Sequence, residues 1–148
     1  METSSHVQYV ILAQSGDHES FARLIKAMEP RLYRIAKSIL AEENECLDAA
    51  QEAVIKAYLS IQQLRDPRHF QTWLIRILIH ECYRIKRKRE LVVHFGSRTE
   101  QADKSRFEEQ IELTEAISML EQELQLVITL HYIEDFPIRE VAEILSIP

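Results

Sequence analysis

The sequence predicts an all-α protein, built as two small helical domains joined by a linker. Three observations carry that expectation. Only 2 glycines and 4 prolines occur in 148 residues, too few for the many turns of a β architecture. Apolar side chains return every three or four residues along most of the chain, the spacing of one helix face. Residues 91–107 weaken that periodicity and carry Gly96, Ser97, Thr99, Asp103 and Ser105, the composition of a linker. The expected division is 1–90, linker 91–107, and 108–148.

Each element has its own signals. A short helix is expected from Val7 to Gln14, stopped by Ser15 and Gly16. Asp17 then suits the N-cap of the next helix, because its carboxylate accepts a first-turn N–H and complements the positive dipole end. Phe21, Leu24, Ile25 and Met28 form that helix's apolar stripe. Pro30 has no amide donor and should end or kink it, with Leu32, Ile35, Ile39 and Leu40 continuing the stripe on a second segment. A third helix is expected over Cys46–Gln63, burying Leu47, Ala50, Val54, Tyr58 and Ile61. Asp66 and Pro67 mark a loop, and a long helix follows from Phe70 to Glu90. Leu91, Val92, Val93 and Phe95 offer apolar groups for docking within the linker. Beyond it, Ile111, Leu113, Ile117 and Leu120 suggest one helix, and Leu124, Val127, Ile128 and Leu130 another. Pro137 opens a last one, containing Val141, Ala142, Ile144 and Leu145.

Composition excludes several function classes. Gly16 and Gly96 lie too far apart for a phosphate-binding loop or a dinucleotide fingerprint. Cys46 and Cys82 are isolated and fit reduced thiols. The histidines show no metal-ligand spacing, and His80-Glu81 is not HExxH. No cofactor, metal or catalytic constellation is expected, so the protein is not read as an enzyme. With no signal-peptide pattern and no long apolar run, a cytoplasmic location without membrane insertion is expected. The net charge of −6 hides a partition. Residues 66–98 hold 8 basic and 3 acidic side chains, a balance of +5, whereas residues 99–148 hold 3 and 12, a balance of −9. The middle of the chain can therefore hold a polyanion.

Two surfaces stand out. On the third helix, Ile55 and Leu59 fall off the expected buried stripe, beside Asp48, Gln51 and Glu52. Such a stripe suits a docking helix from another protein, or equally a neighbour within the same domain. On the Phe70–Glu90 helix, Phe70, Leu74, Ile77 and Leu78 define a core face. Thr72, Arg76, His80, Tyr83 and Arg87 line another, with Trp73 at its border. Cations neutralise phosphates and flat rings stack on unpaired bases, a combination suited to single-stranded DNA. Trp73 taken alone reads as a core residue. The run Arg84, Lys86, Arg87, Lys88 and Arg89 reads as nucleic-acid binding, although a basic helix end also complements the dipole. Glu42, Glu43 and Glu45 read as a solvated turn.

Taken in order, these segments resemble an extracytoplasmic-function sigma factor of bacterial RNA polymerase. Val10 to Phe21 is similar to the family's opening, a short helix followed by Gly-Asp and an aromatic. Asp48 to Tyr58, DAAQEAVIKAY, resembles the polymerase-binding segment of sigma region two. Phe70 to Ile77, FQTWLIRI, with the basic run after it, resembles the promoter-melting segment. Leu120 to Pro148, with Tyr132 and Glu140 to Leu145, resembles the start of sigma region four. The resemblance implies a region-two helical bundle over 1–90 and an incomplete region-four helix-turn-helix domain over 108–148. It implies that Asp48, Gln51, Glu52, Ile55, Lys56 and Leu59 contact the clamp helices of the polymerase β′ subunit. The loop Leu64 to His69, with Arg65, Arg68 and His69, would hold a flipped base of the minus-ten element. Trp73, Arg76, His80, Tyr83 and Arg84 would guide the unpaired strand, and Lys86 to Arg89 would hold upstream phosphates.

The implied function is to direct RNA polymerase to promoters and help melt the minus-ten element, with core polymerase, promoter DNA and an anti-sigma factor as partners. Capture of extruded bases offsets the roughly few kcal/mol that unstacking costs. His80 departs from the Asn of many relatives. The chain stops at Ser146, Ile147 and Pro148, where relatives continue into a recognition helix, so a fragment without specific minus-thirty-five binding is expected. Two alternatives remain from the residues themselves: a helix-turn-helix regulator acting without polymerase, and a helical protein-interaction module.

Overall fold

The N-terminal turn shows how local chemistry sets the first helix pair. Helix α1 (Glu2–Gln14) ends at Gly16, whose φ of +104° is readily adopted only by glycine. Asp17 Oδ1 then accepts the Glu19 N–H at 3.2 Å and caps α2 (His18–Ile39). In this computed structural model, residues 2–96 and 104–146 are described. Four further helices follow: α3 (Glu43–Ser60), α4 (Phe70–Gly96), α5 (Lys104–Ile128) and α6 (Ile138–Leu145). Short 3₁₀ turns at Ile61–Gln63 and Pro67–His69 join α3 to α4, and a π-helical turn at Thr129–Ile133 follows α5. No strand occurs among the described residues, and the all-α expectation holds.

The core lies where α1 to α4 meet, filled by Val10, Phe21, Leu24, Leu32, Ile35, Phe70, Leu74, Ile75 and Leu78. Gln14 on α1 reaches the turn after α3, donating Nε2 to the carbonyls of Ile61 (3.0 Å) and Leu64 (2.9 Å). That amide fixes the path of the chain into α4. Cys46 and Cys82 are free and buried, and burial pushes the Cys82 thiol up to about 12.

Several sequence expectations are corrected. Pro30 does not end α2, which runs unbroken to Ile39. Pro30 and Lys26 both lie on the exposed face, where water can satisfy the Lys26 carbonyl left without a donor. Buried Leu24, Ile25, Met28, Leu32 and Ile35 on either side hold the helix together.

The buried face of α3 is also rotated. Cys46, Ala49, Ala53 and Ala57 are buried, while Leu47 and Tyr58 are exposed and Ala50 and Val54 are half-buried. A stripe of alanines lets α3 approach its neighbours closely, and hydrophobic size alone points to the wrong side. Residues 91–96 and 104–107, expected in the linker, are helical, and Leu91 and Val92 are exposed. Residues 97–103 and the side chains of Val93, Phe95 and Ile111 lie outside the described residues. The two helices expected between Ile111 and Leu130 are one, α5, because no glycine or proline interrupts that stretch.

The segment after α5 rests on the N-terminal bundle. Leu126, Leu130, Phe136, Val141 and Ile144 join the same core. Arg31 and Arg34 of α2 converge on Glu134, whose side chain is fully enclosed, at 3.2 and 2.8 Å. The Arg31 guanidinium also lies 4.9 Å from the Phe136 ring centroid. Gln122 Nε2 donates to the Ser38 carbonyl at 3.0 Å, and Gln122 Oε1 accepts from Lys86 Nζ at 2.8 Å.

Candidate docking and nucleic-acid faces

Because α3 buries its alanines, the larger side chains of its other sides turn outward. Ile55 keeps 47% and Leu59 76% of its surface open. Asp48, Gln51 and Lys56 are exposed beside them, and Glu52 is half-buried. All six residues expected on the docking face therefore reach solvent on one helix, and among the described residues no neighbour seals Ile55.

A groove runs between α3 and α4. One wall carries Glu45, Asp48, Gln51 and Glu52; the other carries Arg84, Ile85, Lys88, Arg89 and Val92. Acids face cations across it, and Arg89 Nη1 closes on Glu45 Oε1 at 2.6 Å. Glu45, expected in a solvated turn, instead lies in the first turn of α3 and holds Arg89. Further along, Lys56, Leu59 and Ser60 of α3 meet Ile77, His80 and Glu81 of α4 in a second depression. The face expected to dock and the face expected to hold a strand are thus adjacent surfaces of one helix pair.

The cations of the middle segment divide into free and held groups. Arg65, His69, Arg76, His80, Arg87 and Lys88 are exposed. Arg68 is exposed but bound to Asp66 at 2.8 Å, and the Arg68 side chain and N–H hold that carboxyl down to about 2. Arg76 Nη2 meets Ser146 Oγ at 3.1 Å. Arg84 Nε binds Glu81 Oε2 at 3.0 Å, and Lys86 is held by Gln122. Arg65, Arg87 and Lys88 have no hydrogen-bond or ion-pair partner among the described residues. The run from Arg84 to Arg89 is therefore not the uniformly solvated cluster that its composition suggests.

The rings are less available than the cations. Trp73 is half-buried against Phe70, with ring centroids 6.0 Å apart. Tyr83 is half-buried against the core, and burial pushes its hydroxyl up to about 12. Neither ring is fully exposed.

Sequence reasoning missed four residues that organise these faces: Glu81, Glu45, Gln122 and Glu134. Glu81 is almost fully buried between α3 and α4, where Lys56 Nζ binds one oxygen and Arg84 the other. Burial alone raises its carboxyl, but the Lys56 and Arg84 contacts outweigh that and lower it. An acid in the middle of a basic helix, three residues before an arginine, was the signal available for it.

An all-helical bundle with a cation-rich helix beside an apolar and acidic one suits a protein that binds DNA and docks on a second protein. Comparison with known families gives that class its identity. Residues 24–91 match the sigma-70 region 2 family and residues 110–148 match sigma-70, region 4. The chain is 29% identical to the ECF RNA polymerase sigma factor SigW of Bacillus subtilis, over 91% of this chain and 82% of that one. It is 28% identical to RNA polymerase sigma factor SigV of the same organism, over 76% and 69%. RNA polymerase sigma-H factor of Pseudomonas aeruginosa is 26% identical over 95% and 82%. The chain belongs to the sigma-70 family, as an extracytoplasmic-function sigma factor that directs RNA polymerase to promoters. Core RNA polymerase and promoter DNA are the partners that membership implies. No helix among the described residues is long and apolar enough to cross a membrane.

Proposed function

We propose that the exposed side of α3 grips the clamp helices of the polymerase β′ subunit, while α4 and the loop before it capture the opened minus-ten strand. Asp48, Gln51, Glu52, Ile55, Lys56 and Leu59 form the grip. Arg65, Arg68 and His69 border the pocket for a flipped base. Arg76, His80 and Arg84, edged by Trp73 and Tyr83, guide the non-template strand, and Lys86 to Arg89 hold upstream phosphates. Holding extruded bases compensates their lost stacking and so favours melting. The protein acts by binding alone and is not an enzyme. Residues 1–90 carry both tasks, and 108–148 belong to the minus-thirty-five unit. An anti-sigma factor in the cytoplasm covers the same two faces when the protein is silent.

The observation that carries this reading is the pairing of Ile55 and Leu59, open on α3, with free cations on the adjoining helix. Apolar contact provides for a protein partner and cations for a polyanion. Retention of core polymerase by the tagged chain, followed by capture of labelled minus-ten strand, tests both halves. Ile55→Asp should abolish retention. Arg76→Ala with His80→Ala should leave retention intact and weaken capture. Wild-type behaviour of both variants refutes the assignment.

A further inference from the structure

Glu81 is a buried ionisable group that the proposed function leaves unused. Its residue surface is 3% open, and it lies on the side of α4 that faces α3. Each carboxylate oxygen takes one cation: Oε1 binds Lys56 Nζ and Oε2 binds Arg84 Nε at 3.0 Å. Lys56 lies on the face assigned to the polymerase, and Arg84 on the face assigned to the opened strand. Both cations keep about half of their side-chain surface open, 47% and 57%. One hidden anion therefore anchors a cation from each working surface.

Stability alone does not account for an acid at this place. Burying a carboxylate carries a large desolvation penalty, and an apolar residue of similar volume usually does as well or better in a core. What the acid does supply is orientation. With Nε tied to Glu81, the two outer nitrogens of the Arg84 fork have no hydrogen-bond partner among the described residues. A guanidinium fixed in this way has already lost the rotamer freedom that base recognition would otherwise have to remove.

On the reading of α4 as the strand-binding helix, we infer that Glu81 is a positioning residue for sequence discrimination: it aims Arg84 at the opened strand without touching DNA. An unanchored Arg84 still attracts phosphates, and loss of the neighbouring anion strengthens that attraction. Removing Glu81 thus lowers discrimination while sparing general affinity.

Holoenzyme reconstituted with core polymerase tests this, using a labelled single strand that carries a minus-ten sequence selected from a randomised promoter library, and a scrambled strand of equal composition. Glu81→Leu and Glu81→Gln should keep the melting temperature and bind the scrambled strand at least as well as wild type. The ratio of selected to scrambled affinity should fall about fivefold or more, the low end for one well-placed arginine–base contact. Glu81→Gln combined with Arg84→Met should lose no more than Arg84→Met alone. An unchanged ratio in either folded Glu81 variant, while Arg84→Met lowers it, overturns the inference. So does a parallel fall of melting temperature and both affinities, which marks a purely structural role. If Arg84→Met itself changes nothing, the strand-binding assignment of Arg84 fails, and the positioning role fails with it.

Discussion

Leu59 offers the sharpest test of the proposed polymerase-gripping face. It keeps 76% of its surface open on α3, next to Ile55 at 47%. Fully burying a leucine side chain gains about 1.5–3 kcal/mol. Covering the three-quarters still open would then gain about 1–2 kcal/mol, and Leu59→Ala forfeits most of it. At 1.4 kcal/mol per factor of ten, the dissociation constant for core polymerase should rise about 5- to 30-fold. The fold itself should hardly notice, because exposed positions typically change stability by about 0.5 kcal/mol or less. Fluorescence anisotropy of the labelled chain, titrated with core polymerase, measures the first quantity, and thermal unfolding measures the second. Ile11→Ala, at an apolar position on α1 with 48% of its surface open, serves as the control and should bind like wild type. A Leu59→Ala affinity within twofold of wild type, or an equal loss in the Ile11 control, would refute the argument.

Two further outcomes follow from the charges. Replacing Arg87 and Lys88 together by alanine removes two unpaired, exposed cations, so the slope of log affinity against log salt for single-stranded DNA should shrink by about 1.4, at about 0.7 per phosphate contact; an unchanged slope in titrations of the holoenzyme removes them from the interface. Glu134 is held below the usual carboxylate range by its hydrogen bond from Arg34, against burial, with the charges of Arg34 and Arg31 adding to it. A folded-state value below the unfolded one means that its contribution is full above the ordinary carboxylate range and fades as pH falls through the lowered value. The melting-temperature difference between wild type and Glu134→Gln should therefore be largest near neutrality and vanish in acid. A difference that stays constant with pH contradicts that assignment.

How much of this was legible in the sequence depended on the range of the interaction. The Asp17 cap, the helix opened by Phe70 and the Pro137 start of α6 follow from neighbouring residues, and they stand where local chemistry puts them. The open stripe of Ile55 and Leu59 was visible for the same reason. The buried face of α3 was not, because Ala49, Ala53 and Ala57 carry little hydrophobic signal while Leu47 and Tyr58 carry much. Pairings such as Glu81 with Lys56, Glu45 with Arg89, and Glu134 with Arg31 and Arg34 join distant parts of the chain. Spacing in sequence holds no trace of them. They decide which cations are free to meet a phosphate, so the run from Arg84 to Arg89 is less open than its composition suggests.

Three methyl groups on α3 have a consequence out of proportion to their size. Because α3 faces its neighbours through Ala49, Ala53 and Ala57, those side chains gauge the gap between the two helices. A bulkier group at any of them would act as a shim, tilting one helix away from the other. On the proposed assignment, the transcription machinery is seized on one side of that gap and the parted strand on the other. A change of a single methylene there would put both out of alignment together, although neither surface had been altered.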